Sequence, residues 1–355
     1  GQSVDGNSIS FKALEKITVE GEVLDASGQL VTDFTGIVNP TVKDSKVTVT
    51  CLKNSNKDDS PAFTFTDYPN TIFIGNDSVR NGKFSFTFTV PKDISYSNLQ
   101  GKMNLYAVDT ESGNEAQGNF DNFIVGGTSD TAETDTIGPE IRALYLNDTT
   151  FVDGGQVNTT PYFVAELWDK SGVNITGSSV GHDMMLVIDE STVLSYNLNS
   201  YYELLPGEEG TGIVKFPIPA LEPGKHTAEF WVWDILNNST VRTFTFEVVE
   251  GLKPFLFDVI ATPGIAREQV TFHLMHNRPE SRMRVGIMVY DLAGRQLWKH
   301  EESGTSGLFE NYTVSWDLTS GGARMRPGVY IYRAAISTDN SKDATKARKF
   351  IILGE

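Results

Sequence analysis

The feature that most constrains this sequence is a periodicity of two. From Lys83 to Val90, Phe84, Phe86 and Phe88 alternate with Ser85, Thr87 and Thr89, so an extended segment presents one apolar and one polar face. Similar runs recur roughly every ten to fifteen residues, separated by Gly, Asn, Asp and Pro. The spacing of apolar residues that marks an amphipathic helix is hard to find anywhere. A chain written this way folds as all-β, in consecutive antiparallel, Ig-like sandwiches.

The runs group into three expected modules. Residues 1–136 carry strand patterns at Lys16–Leu24, Lys46–Leu52, Ala62–Thr66, Lys83–Val90 and Gly101–Val108, and end in Gly126–Thr136, a small, acidic stretch that reads as a linker. Residues 137–250 carry Ile141–Leu146, Tyr162–Trp168, Met184–Ile188, Gly212–Ile218, Gly224–Trp233 and Val241–Val249. Asn237-Asn238 between the last two suits a tight turn, because Asn tolerates positive φ. Residues 251–355 carry Phe255–Ile260, Gln269–Met275, Arg284–Asp291, Gln296–His300, Tyr312–Asp317, Gly328–Ile336 and Ala347–Leu353.

Composition narrows the function. The 355 residues suffice for two or three domains, each with a core. With 29 basic and 46 acidic residues the net charge is −17, which disfavours nucleic acid as a partner. The single cysteine, Cys51, rules out an intrachain disulfide. No apolar run approaches the roughly 20 residues that span a bilayer, so the chain is not expected to cross a membrane. It begins in mid-pattern without a signal peptide and is read as a piece of a larger exported protein.

Few residues invite chemistry. Cys51 closes the alternation Val47, Val49, Cys51, and is expected buried on an apolar face rather than acting as a nucleophile. His182 and Asp183 are adjacent, so on a strand they point apart and cannot form a dyad; a hydrogen bond orienting a loop is expected of His182. His273 and His276 likewise fall on opposite faces, which disfavours zinc. The run Asp169 to Asn174 offers side-chain oxygens suited to calcium, with Asp169 and Asn174 as candidate ligands and Asp148, Asp153 or Asp234 joining from elsewhere, although it lacks EF-hand spacing. Trp168, Trp231, Tyr201 and Tyr202 are candidates for stacking on sugars, but Trp231 and Trp233 share a face, which more often means core. The last module is more basic than the rest, and Arg295, Arg324, Arg326 and Arg348 are candidate partner-binding residues.

Two sets of motifs carry a resemblance. The segment Val289–Leu297, the run Gly321–Tyr332 and the terminal run Ala347–Leu353 resemble the C-terminal sorting domains of type IX secretion cargo. Thr32–Gly36, Val90–Ile94, Asp153–Gly155, Asp169–Asn174, Gly181–Asp183, Leu198–Tyr202 and Trp233–Ser239, in that order, resemble the region downstream of the peptidase domain in PorU-type, gingipain-like surface sortases. This resemblance covers almost the whole chain. It implies a parent cysteine peptidase at the cell surface that removes sorting domains and attaches cargo to lipopolysaccharide beside an outer-membrane barrel partner of the PorV type. No stretch matches the family's catalytic domain, so no catalytic residue is carried over and this region is expected to be inactive. Ser78, Thr131, Thr136 and Thr149, each preceded by Asp and followed within the triplet by Val, Ala, Ile or Thr, resemble O-glycosylation acceptors of exported Bacteroidetes proteins. The tail of a type IX cargo protein, an adhesin and a carbohydrate-binding array remain alternatives, and calcium is the one cofactor in view.

Overall fold

A strand that is apolar on one face must be covered on that face. In a computed structural model of the chain, which describes residues 9–52, 62–130, 135–177, 181–205, 210–338 and 341–354, sheets cover one another. Among the described residues there is no α-helix, and the single 3-10 turn is Asn199–Tyr201. No helix there is long and apolar enough to cross a membrane. Every sheet draws its strands from residues 9–128, from 140–248 or from 256–352. By compactness the chain divides into two units, one of Gly1–Leu144, Ala165–Lys215 and Thr227–Phe244, the other of Tyr145–Val164, Phe216–His226 and Thr245–Glu355.

In the first unit the antiparallel pair of Lys16–Glu22 and Lys83–Thr89, distant in sequence, runs in full register from Lys16↔Thr89 to Glu22↔Lys83. Phe86 and Phe88 are buried as the alternation requires, and they join Phe11, Val42, Met103, Phe123 and Val125 in one core. Opposite lies a five-stranded sheet centred on Gly36–Lys43 and Lys102–Asp109, flanked by Glu115–Phe120, Thr71–Ile74 and Asp77–Val79. Gly36–Lys43 has no strand signature because of Pro40, which removes a ladder donor. Pro40 sits where the neighbouring strand changes from Thr71–Ile74 to Asp77–Val79, a break in the ladder that asks for no N–H. Phe123–Thr128, paired in parallel with Ile9–Ala13, runs three residues into the stretch expected as linker.

The hairpin of Val47–Thr50 and Thr64–Asp67 corrects one expectation. Val49 faces Phe65, and Cys51 N donates to Phe63 O, so the apolar residues do share a face. That sheet has only two strands, however, and Cys51 is exposed, as are Phe63 and Phe65. Alternation states which residues share a face and is silent on whether anything covers it.

The middle strands form two sheets. One has the order 140–146, 162–168, 211–217, 202–204; the other runs 156–157, 239–248, 224–233, 185–188, 195–197. In Gly224–Trp233 the buried face is Ala228, Phe230 and Val232, so Trp231 and Trp233 share the half-buried outer face, contrary to the core expected of them. Asn237 takes φ +71 at the tight turn after Asp234, as its place in the sequence predicts.

The C-terminal sandwich packs Leu256–Thr262, Val270–His276 and Tyr312–Trp316 against a sheet of order 265–266, 344–352, 328–337, 283–290, 296–304. Phe272, Tyr332 and Phe350 are buried at its centre, with Trp316 stacked on Trp298 at 4.4 Å. Arg278 is 1% exposed, and its guanidinium donates to the carbonyl oxygens of Leu252, Lys253 and Asn277. It pins the incoming segment to the sandwich. Burial and the Arg278 charge push the neighbouring His276 down to about 4, so its ring is neutral at physiological pH, with Nε2 on Ser306 Oγ and Nδ1 accepting from Arg278 N.

Candidate functional site

The most concentrated polar chemistry lies in the first unit, where three loops converge. Asp169 follows strand Tyr162–Trp168 and folds the chain back: its Oδ1 accepts from Ser171 N and Gly172 N, both at 2.8 Å, and Gly172 takes φ +111. Asp234 ends strand Gly224–Trp233 in a similar way, with Oδ1 accepting from Leu236 N and Asn238 N and Oδ2 accepting from Asn238 Nδ2 at 2.6 Å. A bridge between Val173 and Asp234 ties the two loops together. Asp135 completes the set, accepting from Ile137 N and, at 2.8 Å, from the Ser171 hydroxyl. Each of the three aspartates offers a carboxylate oxygen within 4.8 Å of the others; Asp169 and Asp234 are buried, Asp135 half-buried.

The electrostatics of the three differ. Burial pushes Asp169 up to about 6, and the nearby Asp234 and Asp135 charges push the same way against the two backbone hydrogen bonds. Asp234 is also raised, chiefly by burial. Asp135 is lowered by the Ile137 amide and the Ser171 hydroxyl. The cluster therefore concentrates negative charge that only a proton or a cation relieves. Carboxylate oxygens are the ligands a hard cation such as calcium takes, and calcium needs six to eight oxygens, so water and carbonyls would have to supply the remainder.

Of the ligands expected from sequence, Asp169 and Asp234 come together. Asn174 belongs to a turn of its own: its Oδ1 accepts from Thr176 N and the Thr176 hydroxyl, and its Nδ2 faces Asp93 at 3.5 Å. Asp148 accepts from Thr150 N, and Asp153 from Thr245 N and the Thr245 hydroxyl. Asp135 escaped the sequence reading because its Asp-Thr-Ile triplet looked like a modification site in a linker. The usable signal was an aspartate a few residues ahead of a strand, opposite two Asp-headed turns.

Beside the cluster runs a second network. The segment after Val90 docks on the Asp234–Asn238 turn through Lys92 N donating to Ile235 O. Asp93 Oδ2 meets His182 Nδ1 at 2.6 Å, and Asp93 Oδ1 accepts from Asn237 Nδ2 at 2.9 Å. The His182 ring lies 4.5 Å from that of Trp233. His182 thus pairs with Asp93 from a distant segment, while the adjacent Asp183 accepts from Asn199 Nδ2 at 2.7 Å. A carboxylate orients an imidazole, but catalysis also requires a nucleophile; the one thiol, Cys51, lies on a different sheet, in the Val47–Thr50 hairpin.

The four arginines singled out in the C-terminal module have local partners to different degrees. Arg295 meets Asp291 within its own turn at 3.1 Å. Arg348 holds Asp258 bidentately at 2.7 and 2.6 Å and so clasps the two sheets of its sandwich. Arg324 donates to the Arg267 carbonyl, and Arg326 is exposed beside it in sequence. Of the stacking candidates, Trp168 lies under the Arg142 guanidinium at 5.2 Å, Trp231 donates to Glu229, Tyr202 is buried and Tyr201 is 38% exposed. Ser78, Thr136 and Thr149 are exposed, whereas Thr131 lies outside the described residues.

Fold and loops together define the class: an all-β chain of tandem Ig-like sandwiches whose polar chemistry sits in the turns at strand ends. No family model matches the chain, and no curated protein does. Among solved structures it is similar to a region of PorU from Porphyromonas gingivalis, described as dimeric and latent, with 37% identity over 100% of this chain and a TM-score of 0.42. The chain spans 33% of that PorU chain, so the similarity is to one region of it. Two further similarities are a Bacteroides ovatus mixed-linkage glucan utilization protein, SGBP-B (9% identity, 100% of this chain, 68% of that one, TM-score 0.25), and the Ig1-2 module of the Drosophila receptor tyrosine phosphatase DLAR (9%, 61%, 98%, 0.25). At such values neither carries an argument.

Proposed function

We propose that this chain is the docking and positioning region of a cell-surface, gingipain-like sortase, which removes sorting domains from type IX cargo and attaches the cargo to lipopolysaccharide. What supports the reading is identity to PorU that runs the length of the chain. On this reading the sandwiches hold a peptidase, located elsewhere in the parent protein, at its working position, and the basic C-terminal sandwich contacts an outer-membrane barrel of the PorV type. Surface location and O-glycosylation at Ser78, Thr136 and Thr149 belong to the same proposal.

The barrel contact is assigned first to Arg324 and Arg326, which are exposed at the Gly321–Gly328 turn. The test is capture of the detergent-solubilised barrel by the whole chain and by a variant with Arg324→Glu and Arg326→Glu. The expected result is capture by the first, weakening with salt, and at least ten-fold poorer capture by the second. Equal capture removes these arginines from the contact; no capture by either places docking outside this chain. A cargo tail would instead lose its C-terminal sandwich on secretion, which an immunoblot of the surface protein detects as a drop in mass.

A further inference from the structure

The outer face of the five-stranded sheet in the first unit carries two adjacent rows of uncharged polar side chains. Pairing places Thr41, Asn104 and Asn119 side by side in one row, and Asn39, Tyr106 and Gln117 in the next. All six point outward, because the residues that alternate with them on the two inner strands, Val38, Val42, Met103 and Ala107, are buried. They line a shallow, open part of the sheet surface. The opposing strand pair ends in an ion pair, Lys83 on Glu22 at 3.2 Å. These two rows hold no charge at all.

One of these side chains is held in place. Asn39 Nδ2 donates to Asn76 Oδ1, and Asn76 Nδ2 in turn donates to Leu204 O at 3.2 Å, so the Asn39 amide is oriented with its carbonyl oxygen left for a ligand. The Tyr106 side chain, in the same row, is 38% exposed.

We propose that this face binds a neutral oligosaccharide. A carboxamide offers one acceptor and two donors side by side, the complement of a vicinal diol, whose hydroxyls each donate and accept. An exposed tyrosine offers an apolar ring for the C–H face of a pyranose. Strands lie about 4.8 Å apart, so each row of three presents hydrogen-bonding groups over about 10 Å, roughly two sugar rings. An anionic polysaccharide would meet a chain of net charge −17. This sheet face plays no part in the sortase reading.

The test is calorimetric titration of the whole chain with cellohexaose, maltohexaose, mannohexaose and chitohexaose, against hexagalacturonate as the anionic comparison. At least one neutral probe is expected to bind in the micromolar to low millimolar range, and hexagalacturonate at least ten-fold more weakly. Tyr106→Ala and Asn104→Ala should each weaken binding about ten-fold, whereas Tyr106→Phe, which keeps the ring, should stay within about three-fold. Gln117→Ala serves if either variant melts early. The proposal is overturned if no neutral probe binds at millimolar concentration, if hexagalacturonate binds as tightly, or if folded Tyr106→Ala, Asn104→Ala and Gln117→Ala proteins bind like the parent.

Discussion

Replacing Asp169 with Asn tests the electrostatics of the loop cluster. Burial raises the Asp169 carboxyl from 3.8 to about 6, so the folded state binds its proton more tightly than the unfolded chain does. A group raised in this way costs stability as pH climbs from about 4 to about 6, and the full cost persists above that window. Two pKa units at about 1.4 kcal/mol each give about 3 kcal/mol at neutral pH. Asparagine keeps the carbonyl oxygen that accepts from Ser171 N and Gly172 N, and it turns an amide donor toward Asp234 and Asp135. Asp169→Asn should therefore stabilise the first unit by up to about 3 kcal/mol at neutral pH and by almost nothing near pH 4. At about 2–4 °C per kcal/mol, that is a rise of roughly 6–12 °C in the melting of this unit. The assay is thermal unfolding followed by tryptophan fluorescence in chelator at both pH values, because Trp168 and Trp233 belong to the strands that end in Asp169 and Asp234. A variant less stable than the parent at neutral pH would refute the reasoning. Millimolar calcium provides a second arm: a cation held by the three carboxylates stabilises the parent by mass action and the variant much less. Equal shifts in both proteins would remove calcium from the cluster.

Three further outcomes are expected. Phe272→Ala should destabilise the C-terminal sandwich by about 3–5 kcal/mol, because the ring is fully buried against Tyr332 and Phe350; a denaturant midpoint shift worth less than about 1 kcal/mol would contradict that packing. Asn237→Ala should cost about 1–2 kcal/mol through its φ of +71, and Asn237→Gly should recover most of this backbone strain; equal stability of the two variants in a chemical melt would argue against it. Cys51, being exposed, should be alkylated in the native protein about as fast as in denaturant, and strong native protection would mean that something covers the Val47–Thr50 hairpin.

Much of this fold could be read before any coordinates, because alternation is a local signal. Tyr162–Trp168 and Gly224–Trp233 have the bounds their patterns predict, and Phe86 and Phe88 are buried as expected. The failures share one cause. Trp231 with Trp233, and Val49 with Cys51, were placed correctly on common faces, but which face is covered depends on strands far away in sequence. Gly36–Lys43, a central strand, was hidden by Pro40, whose tolerance depends on where its neighbours stop. The site was half legible for the same reason. Asp-headed turns announce Asp169 and Asp234, whereas the pairing of Asp93 with His182 spans 89 residues and leaves no local trace.

The last strand, Ala344–Ile352, lies inside its sheet, paired antiparallel with Gly328–Ser337 and in parallel with Ile265–Ala266, and it contributes Phe350 and Ile352 to the core. This sets an order of events for a chain synthesised from its amino terminus. Until residue 352 has emerged, Phe272, Trp316 and Tyr332 lack the ring that packs among them, and the strand 328–337 keeps an open edge. The sandwich is then closed by its final strand, and a stalled or truncated chain would present a sticky, unfinished sheet instead of a shorter folded protein.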